Sequence, residues 1–214
     1  MLRLHSYWRS SASYRVRIAL GLKGLTFEHL TVNLLKNEQG QPEFTALNPE
    51  GLVPLLEHDG LRLSQSTAII EYLEEAFPSP ALMPADLQGR ARVRAICQMI
   101  ACDIHPLNNL RVLKYLTGDA GLSSEQKDTW YAHWVRVGLG AVEKRLAESA
   151  AGQFCHGDLP GMADCFLVPQ VANAQRMNVD ITHLRRVVEI NARCMELAAF
   201  QQAQPSACPD AVAA

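Results

Sequence analysis

The sequence predicts an α/β domain followed by an all-α domain, and three observations carry that expectation. Apolar residues switch between strand-like and helix-like spacing as far as Phe77. Prolines then interrupt the pattern at Pro78, Pro80 and Pro84, and beyond them the segments repeat apolar residues at three- and four-residue intervals. With 214 residues, 48% of them hydrophobic, the chain can bury the cores of two ordinary domains. We place these at residues 1–80 and 87–204.

Taken in order, Leu2 and Leu4 open a short strand. Residues 13–24 put Tyr14, Ile18 and Leu22 on one helical face with Arg15 and Lys23 off it, and Gly24 closes the helix in the left-handed conformation. Residues 27–32 form a second strand and complete a βαβ unit with a right-handed crossover. Strands at 52–57 and 61–63 flank the turn signal His58-Asp-Gly60, and Ser66 opens a helix through Ala68, Ile69, Tyr72, Leu73 and Phe77. The order βαβ then ββα is that of a thioredoxin-like domain. The prolines that follow remove backbone donors and restrict their neighbours, which makes them the linker. Helices are then expected at 87–117, 124–149, 161–175 and 184–203. The Ala- and Pro-rich tail from Pro205 shows no packing face and is expected to be loose.

The formal charge of −2 offers no basic stripe for nucleic acid and no polybasic anchor for a membrane. No run of about 18 apolar residues occurs, and the amino terminus lacks the long apolar stretch of a signal peptide. The expected location is cytoplasmic and the expected partner a small molecule. Six cysteines occur without a CxxC pair and are read as free, mostly packing, thiols. Seven histidines show no zinc spacing, so no metal is expected.

Three places can carry chemistry. Arg9-Ser-Ser-Ala-Ser-Tyr14 lies where the first strand ends and the first helix begins. Two hydroxyls, Ser10 and Ser11, meet there the unpaired N–H groups and positive end of a helix, a place to hold a thiolate or simply a cap. Val53-Pro54 stands just before a strand, where a cis bond would expose backbone groups to a peptide and a trans turn is the plain alternative. Gln65-Ser66 begins a helix and can clasp a carboxylate or cap it. Together they would line one edge of one small sheet.

Four blocks, Trp8-Arg-Ser-Ser-Ala-Ser-Tyr-Arg-Val-Arg-Ile-Ala-Leu20, Ala46-Leu-Asn-Pro49 with Val53-Pro54, Gln65-Ser-Thr-Ala-Ile-Ile-Glu-Tyr-Leu-Glu-Glu75 and Cys102-Asp-Ile-His-Pro-Leu-Asn-Asn109, resemble zeta-class glutathione transferases, the maleylacetoacetate isomerases. The resemblance covers nearly the whole chain except the tail. It implies the glutathione-transferase architecture and a glutathione site. Ser10 and Ser11 would lie near the sulfur, Val53 would pair with the tripeptide backbone, and Gln65 with Ser66 would take its γ-glutamyl end. His105 and Asn109 would close the site from the helical domain, and Arg111 counts among the glutathione-side residues. A glutamine among residues 39–41 could add a contact. A homodimer is likewise implied.

Two departures from the family pattern stand out. The first motif usually carries a cysteine where this chain has Ala12. The nucleophile is brought in by glutathione, so the polypeptide needs only to lower its pKa, and activity is expected to survive. Gly161 stands where the helix beginning Pro160-Gly-Met-Ala-Asp164 usually has Ser or Thr, keeping the cap geometry without the oxygen.

Exposed arginines are ordinarily solvated surface, but a dicarboxylate beside an anionic sulfur needs positive charge. Arg176 matches a family position associated with the substrate carboxylate, Arg9 adjoins the serines, and Arg111 resembles the arginine of related maleylpyruvate isomerases. His105 before Pro106 is read as a glutathione contact rather than a general base, with Cys102 and Asp103 as packing and capping groups. The expected reaction is glutathione-dependent cis–trans isomerisation of 4-maleylacetoacetate to 4-fumarylacetoacetate in tyrosine and phenylalanine breakdown. Ser10, Ser11, Arg9 and Arg176 carry it. The alternatives are a maleylpyruvate isomerase of gentisate catabolism, a transferase acting on haloacids, and a non-enzymatic docking module.

Overall fold

β1 (Leu2–Ser6) runs through the middle of a four-stranded sheet, in a computed structural model that describes residues 1–148 and 152–211. It pairs in parallel with β2 (Glu28–Thr31) and antiparallel with β3 (Leu55–His58), whose other edge takes β4 (Leu61–Ser64). The order is β2-β1-β3-β4. Leu4 lies opposite Leu56 in the register and both are fully buried, because the two inner strands carry the apolar residues of the sheet. The turn between β3 and β4 has positive φ at Asp59 (49°) and Gly60 (86°), the pattern of a tight hairpin whose twist matches its strands.

α1 (Ser11–Leu22) connects β1 to β2, and α3 (Ser66–Ala76) follows β4 and packs on α1. The expected βαβ and ββα order is therefore present. Gly24, at φ 65°, supplies the left-handed residue after α1. The short α2 (Pro42–Thr45) was not foreseen, since four residues are too few to show a helical period.

The chain divides into two compact units. One is Met83–Cys194; the other joins the residues before Met83 to those after Cys194. The expected helical domain at 87–204 therefore ends early, and its last ten residues pack with the sheet-bearing unit. α9 (Ala198–Ala203) lies against α1 so closely that a Cβ on Gly21 would meet the Ala199 Cβ at 3.3 Å. The tail, expected to be loose, is likewise built in as far as Ala211. A 3-10 turn at Pro205–Ala207 leads to Cys208, which is buried in a cluster with Tyr7, Trp8, Val32, Phe44, Val53 and Leu55. Positions 212–214 of that expected tail lie outside the described residues.

Coverage by α3 and α9 also corrects the expected polar face of α1. Arg15, Arg17 and Lys23 are 2%, 4% and 5% exposed. Each is buried with acceptors: Arg15 with Ser66, Arg17 with Ala203 and Trp8 carbonyls and the Ser6 hydroxyl, Lys23 with Glu74 and the Phe77 and Pro80 carbonyls. Buried cations survive only in such company.

The second unit is helical throughout. α4 (Leu87–Gln98) is capped by Asp86, α6 (Ser124–Leu146) begins with a Ser123–Gln126 capping box, and α7 (Met162–Arg176) and α8 (Arg185–Cys194) pack on one another. The helix expected to end at Ser149 stops at Leu146, and Ser149 itself lies outside the described residues. The helix expected over 87–117 is broken. After α4 come a π-helical turn at Met99–Ile104, a 3-10 turn at Pro106–Asn108 and then α5 (Leu110–Thr117). Pro106 has no N–H to continue a ladder, and Asn109 starts a fresh helix. The π turn buries Ile100 and Ile104 and leaves Cys102 and Asp103 exposed, so Cys102 is not the packing group expected. A Cβ on Gly138 would lie 2.2 Å from Ile104 Cγ1, so bare backbone on α6 makes room for this segment. The other expected single helix, at 184–203, is likewise two, α8 and α9, split near Met195. Among the described residues no helix is long and apolar enough to cross a membrane.

Candidate functional site

The turn at residues 7–10 delivers the chain from β1 into α1, closed by Ser10 N–H to the Tyr7 carbonyl at 2.9 Å. Ser10 is the N-cap of α1, with extended φ and ψ and its Oγ accepting the Ser13 N–H at 3.2 Å. The capping role is thus realised, and it does not consume the hydroxyl proton, which can still be donated. Ser11 is the first helical residue and is buried. No acidic residue occupies the first turn of α1, so nothing within the helix neutralises its positive end. Arg9 is exposed, with its guanidinium 4.3 Å from the centre of the Trp8 ring.

The start of α3 is built differently. Gln65 holds φ 67° and ψ 112°, a conformation that costs a non-glycine residue on the order of 1–3 kcal/mol and places the next N–H groups at the helix end. Its Nε2 donates to Glu50 Oε2 at 2.6 Å, and Ser64 Oγ donates to Glu50 Oε1 at 2.8 Å. Ser66 is 7% exposed and its Oγ accepts a hydrogen bond from Arg15 at 3.2 Å. With one lone pair engaged by a guanidinium, the hydroxyl proton of Ser66 is turned to other acceptors. A buried positive charge therefore backs this helix start.

Sequence reasoning missed Arg15 and Glu50. Arg15 faces a residue 51 positions away, a contact no local period reports. Glu50 follows Pro49 in a bend without a motif of its own. Between these helix starts in the chain, the Val53–Pro54 peptide is cis, and Val53 packs in the cluster that also holds Tyr7 and Trp8. Gln39 and Gln41 both donate to Asn37, through its side-chain oxygen and its carbonyl, in the loop before α2.

In the helical unit, Asn109 caps α5 by accepting the Arg111 N–H at 3.1 Å, while its Nδ2 stands 3.4 Å from His105 Nε2. One bend therefore gathers His105, Asn109 and Arg111, and Arg111 is exposed. Arg176, the last residue of α7, is also exposed. It donates to Asn173 at 3.2 Å and acts electrostatically on the Tyr131 hydroxyl. Burial pushes the Tyr131 pKa up and Arg176 pulls it the other way. Tyr131, on α6, was not foreseen as a neighbour of Arg176. At the other end of α7, Asp164 accepts the N–H groups of Gly161 at 2.8 Å and Cys155 at 3.0 Å. Half of a capping box is thus retained without the missing hydroxyl, and burial raises the Asp164 pKa against those bonds.

Comparison with known proteins adds four findings. Residues 1–75 match the family described as glutathione S-transferase, N-terminal domain. The maleylacetoacetate isomerase of Rhizobium meliloti is 48% identical over 202 residues, 94% of this chain and 95% of that protein. Among solved structures, a holo maleylpyruvate isomerase described as a bacterial zeta-class glutathione S-transferase is 46% identical, with TM-score 0.96 over 98% of this chain and 100% of the other. A maleylacetoacetate isomerase from Methylobacterium extorquens AM1, with bound malonate and glutathione, is 37% identical, with TM-score 0.95 over 99% and 100%.

Proposed function

We infer, from the premise that this chain belongs to the zeta-class glutathione transferases, that it is a glutathione-dependent cis–trans isomerase converting 4-maleylacetoacetate to 4-fumarylacetoacetate. The observation that carries the reading is the pair of polar helix starts in the sheet-bearing unit, Ser10 with Ser11 on α1 and Ser66 on α3, the latter backed by buried Arg15. Their donor chemistry fits glutathione. A hydroxyl, helix-end N–H groups and a nearby guanidinium suit the γ-glutamyl carboxylate, and two hydroxyls at an un-neutralised helix end suit a thiolate.

When bound, glutathione supplies the nucleophile, a thiolate whose reversible addition turns the conjugated double bond into a rotatable single bond. Ser10 or Ser11 donates a hydrogen bond to the sulfur and, with the N-terminus of α1, favours its ionised form. Ser66 and Gln65 hold the γ-glutamyl end, and Val53 pairs with the tripeptide backbone. Arg9 and Arg176 take the substrate carboxylates and offset negative charge that builds on its carbonyl oxygen. Asn173 accepts a hydrogen bond from the Arg176 guanidinium and keeps it oriented. His105 and Asn109 contribute polar contacts to glutathione, and Arg111 adds a further cation. Ala12 removes no group from this scheme.

The reaction serves tyrosine and phenylalanine catabolism. A cytoplasmic location is supported by six free thiols, one of them exposed, which suit a reducing compartment. A homodimer is supported by β4, an edge strand with unpaired backbone groups on one side. Mixing the protein with glutathione and maleylacetoacetate tests the central reading. Isomerisation far above the free-glutathione rate is expected, and a rate equal to it contradicts the assignment. Maleylpyruvate is the second substrate to measure, because Arg111 and the similarity to a maleylpyruvate isomerase favour it. The ratio of kcat/KM values on the two compounds decides.

A further inference from the structure

The turn that presents Arg9 and Ser10 is held from the carboxyl-terminal end of the chain. Asp210 Oδ2 accepts the Trp8 N–H at 3.0 Å. Arg17 donates to the Trp8 carbonyl at 3.3 Å, to Ser6 Oγ at 3.0 Å and to the Ala203 carbonyl at 2.9 Å. Both polar groups of the Trp8 backbone are therefore engaged, one by the tail and the other by a cation tied to α9. Cys208 packs beside Tyr7, Trp8 and Val53, with Ala211 against the same cluster.

We propose that residues 204–211 form a strap that fixes the geometry of the 7–10 turn, with Asp210 as its positioning residue. The Asp210 side chain is 7% exposed, so its carboxylate is out of reach of most solvent competition. His29 Nε2 lies 3.1 Å from Asp210 Oδ1 but is poorly aligned for a hydrogen bond. Burial lowers the His29 pKa, with the Asp210 carboxylate opposing and the Arg17 charge adding to the shift. The oxygen with a well-aligned partner is Oδ2, which accepts the Trp8 amide. A charge-assisted bond to a backbone N–H is among the stronger protein hydrogen bonds. Its loss frees the residue two before Ser10, and displacement of a catalytic group by about 1 Å can cost about 10²-fold in rate. An apolar tail with no local period would give no sign of this in the sequence. Asp210 sits 202 positions from the amide it holds.

The inference rests on the glutathione-isomerase reading for its thiol-titration, affinity and kinetic arms, and the hydrogen-exchange arm is independent of it. The test compares wild type with Asp210→Ala and Asp210→Asn in the full chain, by amide hydrogen exchange, by titration of the bound glutathione thiol and by kcat and KM. Asp210→Ala should speed exchange at Trp8 and Ser10 about tenfold while leaving α6 protected, raise the bound thiol's pKa and lower kcat about tenfold. Glutathione affinity, carried by Gln65, Ser66 and Val53, should change by less than about threefold. Asp210→Asn keeps an acceptor and should restore most of each effect. If alanine prevents folding, Asp210→Ser, whose shorter side chain stops short of the amide, carries the same comparison. Unchanged exchange at Trp8 and an unchanged thiol pKa in the alanine variant overturn the strap. A wild-type protein that neither binds glutathione nor isomerises overturns the functional reading, and the exchange measurement still decides the strap.

Discussion

The two compact units hold their candidate site residues in opposite ways. In the sheet-bearing unit, Ser11, Ser66 and Arg15 are buried and bonded into helix starts, so their positions are set before any ligand arrives. In the helical unit, Arg111 and Arg176 stand exposed on long side chains, the first at the start of α5 and the second at the end of α7. Pre-ordered groups lower the entropic cost of binding one fixed ligand, whereas long exposed arginines adapt to carboxylates of varied spacing. The contrast fits a protein that holds the same tripeptide in every turnover while its substrate preference is tuned by a few flexible cations.

The largest expected effect breaks the buried side of the comparison. Replacing both Ser10 and Ser11 by alanine should lower kcat by about 10²–10³-fold in an isomerisation assay, the loss typical of removing donors aimed at an anion. Arg15→Met should weaken glutathione binding by about tenfold in calorimetry and lower the melting temperature, because Ser66 loses its cationic support. Arg15→Lys should fall between. A Met variant that binds as tightly as wild type would remove Arg15 from the account.

The exposed side should respond more weakly and selectively. Arg176→Gln is expected to raise KM for maleylacetoacetate about tenfold with glutathione affinity unchanged, and Arg111→Gln to alter the preference between the two maleyl substrates rather than the rate on both. Equal losses on both substrates from Arg111→Gln would blur the proposed division between fixed and adaptable residues.

A pH experiment sharpens the comparison within the sheet. The hydrogen bond with His5 holds the Glu57 carboxyl below its ordinary value of 4.5, burial opposing and the charges of His5, Arg3 and Arg62 assisting. The folded chain therefore binds that proton less tightly than the unfolded one. The resulting stability is present above pH 4.5 and is lost as the pH falls through the lowered value. The gap in melting temperature between wild type and Glu57→Gln should close as the pH falls below 4.5. The smallest effect belongs to Gly161→Ser, which restores a capping oxygen to α7. It should stabilise by about 0.3 kcal/mol, read as a rise of about 1 °C in melting temperature.

Local signals made the strand and helix order of the first unit readable, because βαβ, the His58-Asp-Gly60 turn and the proline linker each depend on neighbours in sequence. Ser10 and Ser66 were readable as helix starts for the same reason, whereas the sequence left Val53–Pro54 open between a cis bond and a trans turn, and the bond is cis. What escaped depends on contacts across the chain. Arg15 and Lys23 look like a solvated face until α3 and α9 cover the helix. The tail looks unpacked until Cys208 and Asp210 meet residues 7–8. The π turn at Met99–Ile104 escaped because its apolar spacing resembles that of the helix it interrupts.

The central claim is that pre-ordered donors at the start of α1, half-buried Ser10 and buried Ser11, keep a bound thiol ionised, with no cysteine of the polypeptide taking part. Ultraviolet titration of the thiolate in the glutathione complex tests it most directly. The account predicts a midpoint well below that of an ordinary thiol, about 8.5, returning toward it when Ser10 and Ser11 are both alanine. A bound thiol that titrates like the free one, or whose acidity ignores both serines, would contradict it.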